Sequence, residues 1–308
     1  MPPIAAIDAH AVTAAAGGMT ATDPRAIRAV FALSRSVTEG SWLDGRYQIL
    51  RFVAAGGMGE VYEARDQLLE ERVAIKLMRQ DLVGKPGARE RFADEIRLAR
   101  KVTHYNVCRV FDVGSEGQRV FYTMELHHGA TLAARLDRAG KLGLDEIRPI
   151  ASQILTAVQA AHAVDVIHAD LKPSNVLLEP NGRVLVTDFG LAMWLCASPA
   201  CDCRQTHLLG TPAYMSPEQA EGGELSRGTD LFSFGVIMFE MLTGKLPWHG
   251  ATPLELASAR LTGATPVPRA LDATIDPVWD AVVQRCLARD PAARPTSASE
   301  IAQALGLS

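Results

Sequence analysis

Ile167-His168-Ala169-Asp170-Leu171-Lys172-Pro173-Ser174-Asn175 is the stretch around which this sequence organises itself, and Asp188-Phe189-Gly190 begins thirteen residues after its last asparagine. Between them two short apolar runs, Val176 to Leu178 and Val184 to Thr187, flank an Asn181-Gly182 pair, so a hairpin joins the two motifs. The first loop and the second aspartate together supply a base, a phosphate contact and two metal-ligand oxygens, the parts that phosphoryl transfer needs. One carboxylate and one amide oxygen suffice for Mg²⁺, which prefers hard oxygen ligands and keeps several waters.

Working upstream, Val73-Ala74-Ile75-Lys76-Leu77 places a lysine inside an apolar strand, costly to bury unless it is paired or holds an anion. The helical pattern of Arg89 to Val102 carries Glu95 beside the core-facing Ile96, within reach of Lys76. A snorkelling lysine on an edge strand is the plain alternative. Further upstream, Val53-Ala54-Ala55-Gly56-Gly57-Met58-Gly59-Glu60-Val61-Tyr62 is a glycine turn between two strands, where backbone N–H groups can approach an anion. It is no Walker loop and no Rossmann fingerprint, since neither a Gly-Lys-Ser/Thr nor a helix follows. Downstream comes Gly210-Thr211-Pro212-Ala213-Tyr214-Met215-Ser216-Pro217-Glu218.

The whole chain is 308 residues, 48% hydrophobic and 21% charged, which is globular composition for one large or two medium domains. Its 31 basic and 35 acidic residues leave a net charge of −4, against a nucleic-acid-binding role. The apolar run from Leu231 to Phe239 ends at Glu240, short of the ~20 residues that span a bilayer, and the N-terminus makes a poor signal peptide. Five cysteines are too few for a disulfide scaffold, so the expected setting is soluble and cytoplasmic, with no membrane partner. Residues 1–41 are expected to be an Ala-rich, disordered leader with little to bury and one transient short helix, started by Asp23-Pro24 and running through Ile27, Val30 and Phe31; a segment docking on the domain behind it or on a partner is the alternative. Strands are expected over Tyr47 to Val53, Glu60 to Ala64, Arg72 to Met78, Cys108 to Val113 and Arg119 to Glu125. Helices dominate later, with a long one over Leu144 to Val164 and others from about Leu231. Strands first and helices afterwards predict an α+β protein in two unequal lobes.

Five motifs in this order resemble the eukaryotic-like serine/threonine protein kinases, closest to the bacterial branch, from Trp42 to Leu305. The resemblance implies the bilobal kinase fold, a β-rich N-lobe over 42–126 and a helical C-lobe over 127–308, with ATP between them. It implies transfer of the ATP γ-phosphate to Ser/Thr hydroxyls of protein substrates, including the enzyme itself. Gly56 and Gly59, with Ala54 where the family usually has glycine, would cover the phosphates, and Val61 and Ala74 would line the nucleotide site. Lys76 would hold the α- and β-phosphates and pair with Glu95 in the active state. Asp170 would accept the substrate proton, and Lys172 would steady the transferred group. Asn175 and Asp188 would hold Mg²⁺, or Mn²⁺ in its place. Met124 would be the gatekeeper ahead of the hinge residues Glu125 and Leu126. Asp230 would brace the catalytic loop, and Glu218 would pair with Arg294. Dimers through the N-lobe occur in the family.

Departures from the family pattern are informative. Ala169 stands where an arginine usually precedes the catalytic aspartate and binds a phosphate on the activation segment. Activation-segment phosphorylation at Ser198, Thr206 or Thr211 is therefore not expected to be the main switch. Ser216-Pro217-Glu218 replaces Ala-Pro-Glu, a change of one oxygen. Cys196, Cys201, Cys203 and His207 crowd the same segment; incidental thiols, a redox disulfide and a Zn²⁺ site are the three readings. Two rival functions share the fold. A pseudokinase interaction module has Ala54 and Ala169 in its favour, and a small-molecule phosphotransferase would lack the Gly210 to Glu218 segment.

Overall fold

The computed structural model describes residues 35–84, 86–189, 212–250 and 252–307. The leader helix and the Cys196, Cys201, Cys203 and His207 cluster lie outside the described residues. The N-lobe is a six-stranded antiparallel sheet in the order β1-β2-β3-β4-β6-β5, built from β1 (Trp42–Leu43), β2 (Tyr47–Gly56), β3 (Gly59–Asp66), β4 (Glu71–Met78), β5 (Val110–Glu116) and β6 (Arg119–Glu125). Period-two alternation splits these strands into two buried faces. Tyr47, Ile49, Tyr62, Val73, Ile75, Leu77 and Phe121 pack on one side, together with Val37 and Leu43, so the chain joins this core before β1 begins. Ala74, Met78, Val120, Tyr122 and Met124 pack on the other, against Phe92 and Ile96 of α2 (Ala88–Ala99), which follows the short α1 (Gln80–Val83).

Cross-strand register places Val61, Lys76 and Tyr122 in one row, and Ala74 beside Met124 in the next. Lys76 and Tyr122 of this row both reach Asp188. Glycine at 59 is forced by packing, since a Cβ there would lie 2.0 Å from the Leu77 carbonyl oxygen. No such demand exists at Gly56, where a Cβ meets nothing within 4 Å. The sheet therefore does not explain that glycine.

The C-lobe forms around α6 (Arg227–Thr243), whose buried residues include every position from Thr229 to Phe239. A helix buried all round is an internal axle, not an amphipathic surface helix. Before it come β7 (Ala130–Thr131), α3 (Leu132–Ala139), α4 (Leu144–His162), β8 (Val176–Leu178), β9 (Val184–Val186) and α5 (Pro217–Glu221). After it come α7 (Pro253–Thr262), α8 (Pro268–Leu271), α9 (Pro277–Cys286) and α10 (Ala298–Ala304). A Cβ at Gly235 would lie 2.6 Å from that of Cys286, so α6 and α9 approach as closely as glycine permits.

Some expected boundaries move, for identifiable reasons. The strand expected from Cys108 begins at Val110, because Asn106 to Cys108 instead bond across the lobes: Val186 N donates to Asn106 O, and Cys108 N to Val186 O. The expected helix to Val102 ends at Ala99, and Val102 turns into the C-lobe core. Ser297 caps α10 by accepting from Glu300 N at 3.2 Å, but Glu300 reaches back to Thr296 N, so only half of a capping box forms. Trp248 stacks on Phe232 in the core, and His104 accepts from Asn106 N as a turn residue.

Candidate active site

The Asp170 loop is held from beneath. Asp230, fully buried at the start of α6, accepts from His168 N and Ala169 N at 2.9 Å each and meets His162 Nε2 at 2.7 Å. Ala169 has φ of 60°, a left-handed conformation costly for a residue with a Cβ, and the two Asp230 bonds fix it there. His168 is fully buried; its Nδ1 accepts from Asp170 N at 3.2 Å and its Nε2 donates to Thr187 O at 2.8 Å. One imidazole thus spans the loop and the strand leading to Asp188.

These supports set the chemistry of Asp170. Its Oδ2 accepts from Lys172 Nζ at 2.7 Å and Asn175 Nδ2 at 3.2 Å, while Asn175 Nδ2 also donates to Asp170 O at 2.9 Å. Oδ1 has no hydrogen-bond partner among the described residues, which leaves one carboxylate oxygen for an incoming hydroxyl. With Nδ2 committed to Asp170, the Asn175 amide keeps Oδ1 for a cation.

Lys76 does not meet Glu95 in this structure. Its Nζ lies 2.6 Å from Asp188 Oδ2, and the pair is nearly buried. Tyr122 donates its hydroxyl to Asp188 Oδ1 at 2.5 Å, so both carboxylate oxygens are taken. Burial alone would push the Asp188 carboxyl up, but the Lys76 charge and hydrogen bond, with the Tyr122 hydroxyl, hold it below its usual value. Asp188 has φ of 65°, a second left-handed non-glycine in the site. Glu95 is half-buried and faces no cation among the described residues; burial and the neighbouring Asp94 push its carboxyl up to about 6. Of its two candidate carboxylates, Lys76 thus holds Asp188 and leaves Glu95 without a cation among the described residues.

The residues expected to line the nucleotide site sit in the N-lobe sheet and the turn after it. Ala74 and Met124 are buried neighbours, Val61 packs against the same cluster, and Leu126 joins it. Glu125 O accepts from the Cys108 thiol at 3.6 Å, and His127 Nδ1 meets Glu179 Oε1 at 2.9 Å, fixing the turn after β6 to the residue that follows β8. Ala54 and Gly56 lie at the exposed end of β2, paired with Val61 and Gly59. The donor set of Asn175 and Asp188, two hard oxygen ligands, fits Mg²⁺. Among the described residues no cluster of three or more His, Cys, Asp or Glu side chains suits a metal.

Two participants escaped the sequence reading. Tyr122 reads as an ordinary aromatic of a core strand, and only its register with Lys76 reveals a polar role. Gln219 reads as the residue after a motif, yet its Nε2 donates to Ala169 O at 2.7 Å. The anticipated Glu218–Arg294 contact is present as two bonds of 2.8 Å each. No helix among the described residues is long and apolar enough to cross a membrane.

Residues 47–305 match the protein kinase domain family. The serine/threonine-protein kinase PrkC of Bacillus subtilis is 33% identical over 262 residues, covering 85% of this chain and 40% of PrkC. PknA of Mycobacterium tuberculosis, also a serine/threonine-protein kinase, is 35% identical over 271 residues, covering 86% of this chain and 62% of PknA. The chain thus spans between two fifths and two thirds of the length of these relatives. The crystal structure of the M. tuberculosis PknI kinase domain superposes with a TM-score of 0.71 at 24% identity, over 88% of this chain and 99% of that one, which shows the fold. With the family model matched over residues 47–305, the chain belongs to the protein kinase domain family.

Proposed function

We propose that this chain is a serine/threonine protein kinase that moves the γ-phosphate of ATP onto Ser/Thr hydroxyls of proteins, itself included. The observation that carries the reading is the asymmetry of Asp170, one oxygen held by Lys172 and Asn175 and the other open. The open oxygen accepts the proton of the substrate hydroxyl as its oxygen bonds to the γ-phosphorus and the bond to ADP breaks. Lys172 keeps the carboxylate oriented and offers positive charge to the transferring group. Asn175 and Asp188 would hold Mg²⁺, which neutralises phosphate charge when bound; the family uses ATP with Mg²⁺. Nucleotide phosphates give Lys76 a competing anion, which frees it from Asp188 for Glu95. The hinge carried by Glu125 and Leu126, the Met124 gatekeeper and the Val61–Ala74 pair receive the adenine. Gly56, where nothing in the fold excludes a side chain, is glycine to let the phosphates approach the backbone.

The test is incubation of purified protein with γ-labelled ATP, Mg²⁺ and casein, beside an aminoglycoside. Label is expected on casein and on the chain itself, at serine and threonine, and absent with Lys76→Met. Label on the aminoglycoside alone would assign a small-molecule phosphotransferase, and no transfer at all an interaction module.

Ala169 carries no guanidinium to read a phosphate, so the segment's phosphorylation does not set the active state. Phosphatase treatment is expected to leave kcat within about threefold; a loss of tenfold or more, ~1.4 kcal/mol of barrier, would overturn this.

A further inference from the structure

The peptide between Ala169 and Asp170 sets the direction in which the Asp170 side chain leaves the loop. Its N–H half is held by His168 Nδ1 at 3.2 Å. Among the described residues its C=O half is held by one group, Gln219 Nε2, at 2.7 Å. Gln219 sits on α5, at the end of the segment that begins with Asp188, and reaches the loop across 50 residues of sequence. We propose that Gln219 is a positioning residue whose side-chain amide ties the end of the activation segment to the peptide in front of Asp170, through a backbone carbonyl and without a phosphate. The proposal rests on the phosphotransfer reading above and adds to it a means of coupling.

The amide of Gln219 does two separable things. Its Oε1 accepts from Ser216 N at 3.0 Å, while Ser216 Oγ accepts from Gln219 N at 3.3 Å; this reciprocal pair caps α5. Capping uses only the oxygen. The Nε2 donor is free of that duty and is spent on Ala169 O. Ser216 is fully buried and Ala169 nearly so, so both anchor points are fixed in the core. Asp230 holds the two N–H groups of His168 and Ala169 but no carbonyl, so it cannot stop the following peptide from rotating. Where an arginine side chain would join loop to segment by way of a phosphate, Ala169 offers only its carbonyl. Gln219 takes it.

Gln219→Glu separates the two duties. Glutamate is the favoured partner in a capping box and its charge suits a helix N-terminus, so the cap survives. The donor is lost, and a carboxylate oxygen faces the Ala169 carbonyl. The expected result is a kcat lowered about tenfold, ~1.4 kcal/mol, with KM for ATP within about twofold and Tm not reduced. Gln219→Met, which keeps the length and adds no charge, should lower kcat in the same sense. Hydrogen exchange of a peptide spanning residues 166–172 should quicken about tenfold in both variants, a readout that needs no activity. Wild-type kcat and wild-type exchange in Gln219→Glu would reduce Gln219 to a helix cap and overturn the proposal. A wild-type enzyme that moves no phosphate would instead overturn the reaction, while the exchange rates still decide the tie.

Discussion

Asp170→Asn lowers kcat for phosphate transfer by about 10²–10⁴-fold while leaving Mg-ATP affinity near wild type. The amide keeps the shape of the carboxylate, and its oxygen can still accept from Lys172 Nζ, which lies 2.7 Å from Asp170 Oδ2. It cannot take a proton. The open position, which belongs to Oδ1 in the wild type, would hold an NH₂ group that repels the substrate hydroxyl's proton and offers no basic lone pair. Substrate still binds, because no other part of the cleft has changed, so the loss falls on kcat and spares KM. Lys76→Met should give a different signature, with weakened nucleotide binding, since Lys76 is the nearly buried cation of the N-lobe row facing Asp188. Single-turnover transfer and nucleotide titration on both variants check the contrast. An Asp170→Asn enzyme with more than a tenth of wild-type turnover would show that the base lies elsewhere.

That experiment bears on what the sequence could convey. The groups with fixed local spacing were legible: Asp170, Lys172 and Asn175 lie within six positions, and their mutual bonds follow from that loop's geometry. The strand of Lys76 was legible too, because an apolar run around a lysine has few structural solutions. Its partner was not. Both candidates, Glu95 and Asp188, are carboxylates, and the choice depends on a further group far away in sequence, Tyr122, which bonds Asp188 as well. In the described state Tyr122 adds a hydrogen bond on the Asp188 side, worth on the order of 1 kcal/mol, and the balance falls there. Hydrophobic patterning assigns Tyr122 to the core, which is correct, and is silent on its hydroxyl. Gln219 escaped for the same reason: a backbone carbonyl as partner leaves no residue type to recognise. Strand ends failed at Cys108 because a hydrogen bond to β9 in the other lobe competes with the local sheet. Local pattern thus reported which groups are present, and tertiary competition decided which of them touch.

Glu218→Ala should destabilise the fold by about 3–5 kcal/mol, lowering Tm on the order of 10 °C. The Arg294 side chain is 0% exposed and donates to both Glu218 oxygens at 2.8 Å; its remaining bonds go to the carbonyls of Ala288, Gly228 and Arg289. Those carbonyls stay in the variant, but the charge does not find a counter-ion. The guanidinium also lies 4.9 Å from the Phe232 ring centroid, so it cannot swing to water without unpacking α6. Replacing both partners, Glu218→Ala with Arg294→Met, should cost less than the single change, because no buried charge is then left alone. Acid supplies an independent check. Burial pushes the Glu218 carboxyl up, yet the Arg294 hydrogen bond and charge, its own backbone N–H and the Thr229 hydroxyl outweigh burial and hold it below the ordinary glutamate value. A carboxyl depressed in the folded state adds stability that is complete above the unfolded value and is lost as pH falls through the folded one. Wild type should therefore lose this contribution below about pH 4.5, and Glu218→Ala should have none to lose there. The same carboxylate accepts from Thr229 Oγ1 at 2.9 Å, and Thr229 in turn accepts from Ser226 N at the start of α6. Asp230, which fixes the Ala169 peptide, is the next residue. Loss of Glu218 thus loosens the helix end that aims the base, and folded Glu218→Ala enzyme should turn over more slowly well below its Tm. A variant with a stability loss under about 1 kcal/mol would mean that water reaches Arg294.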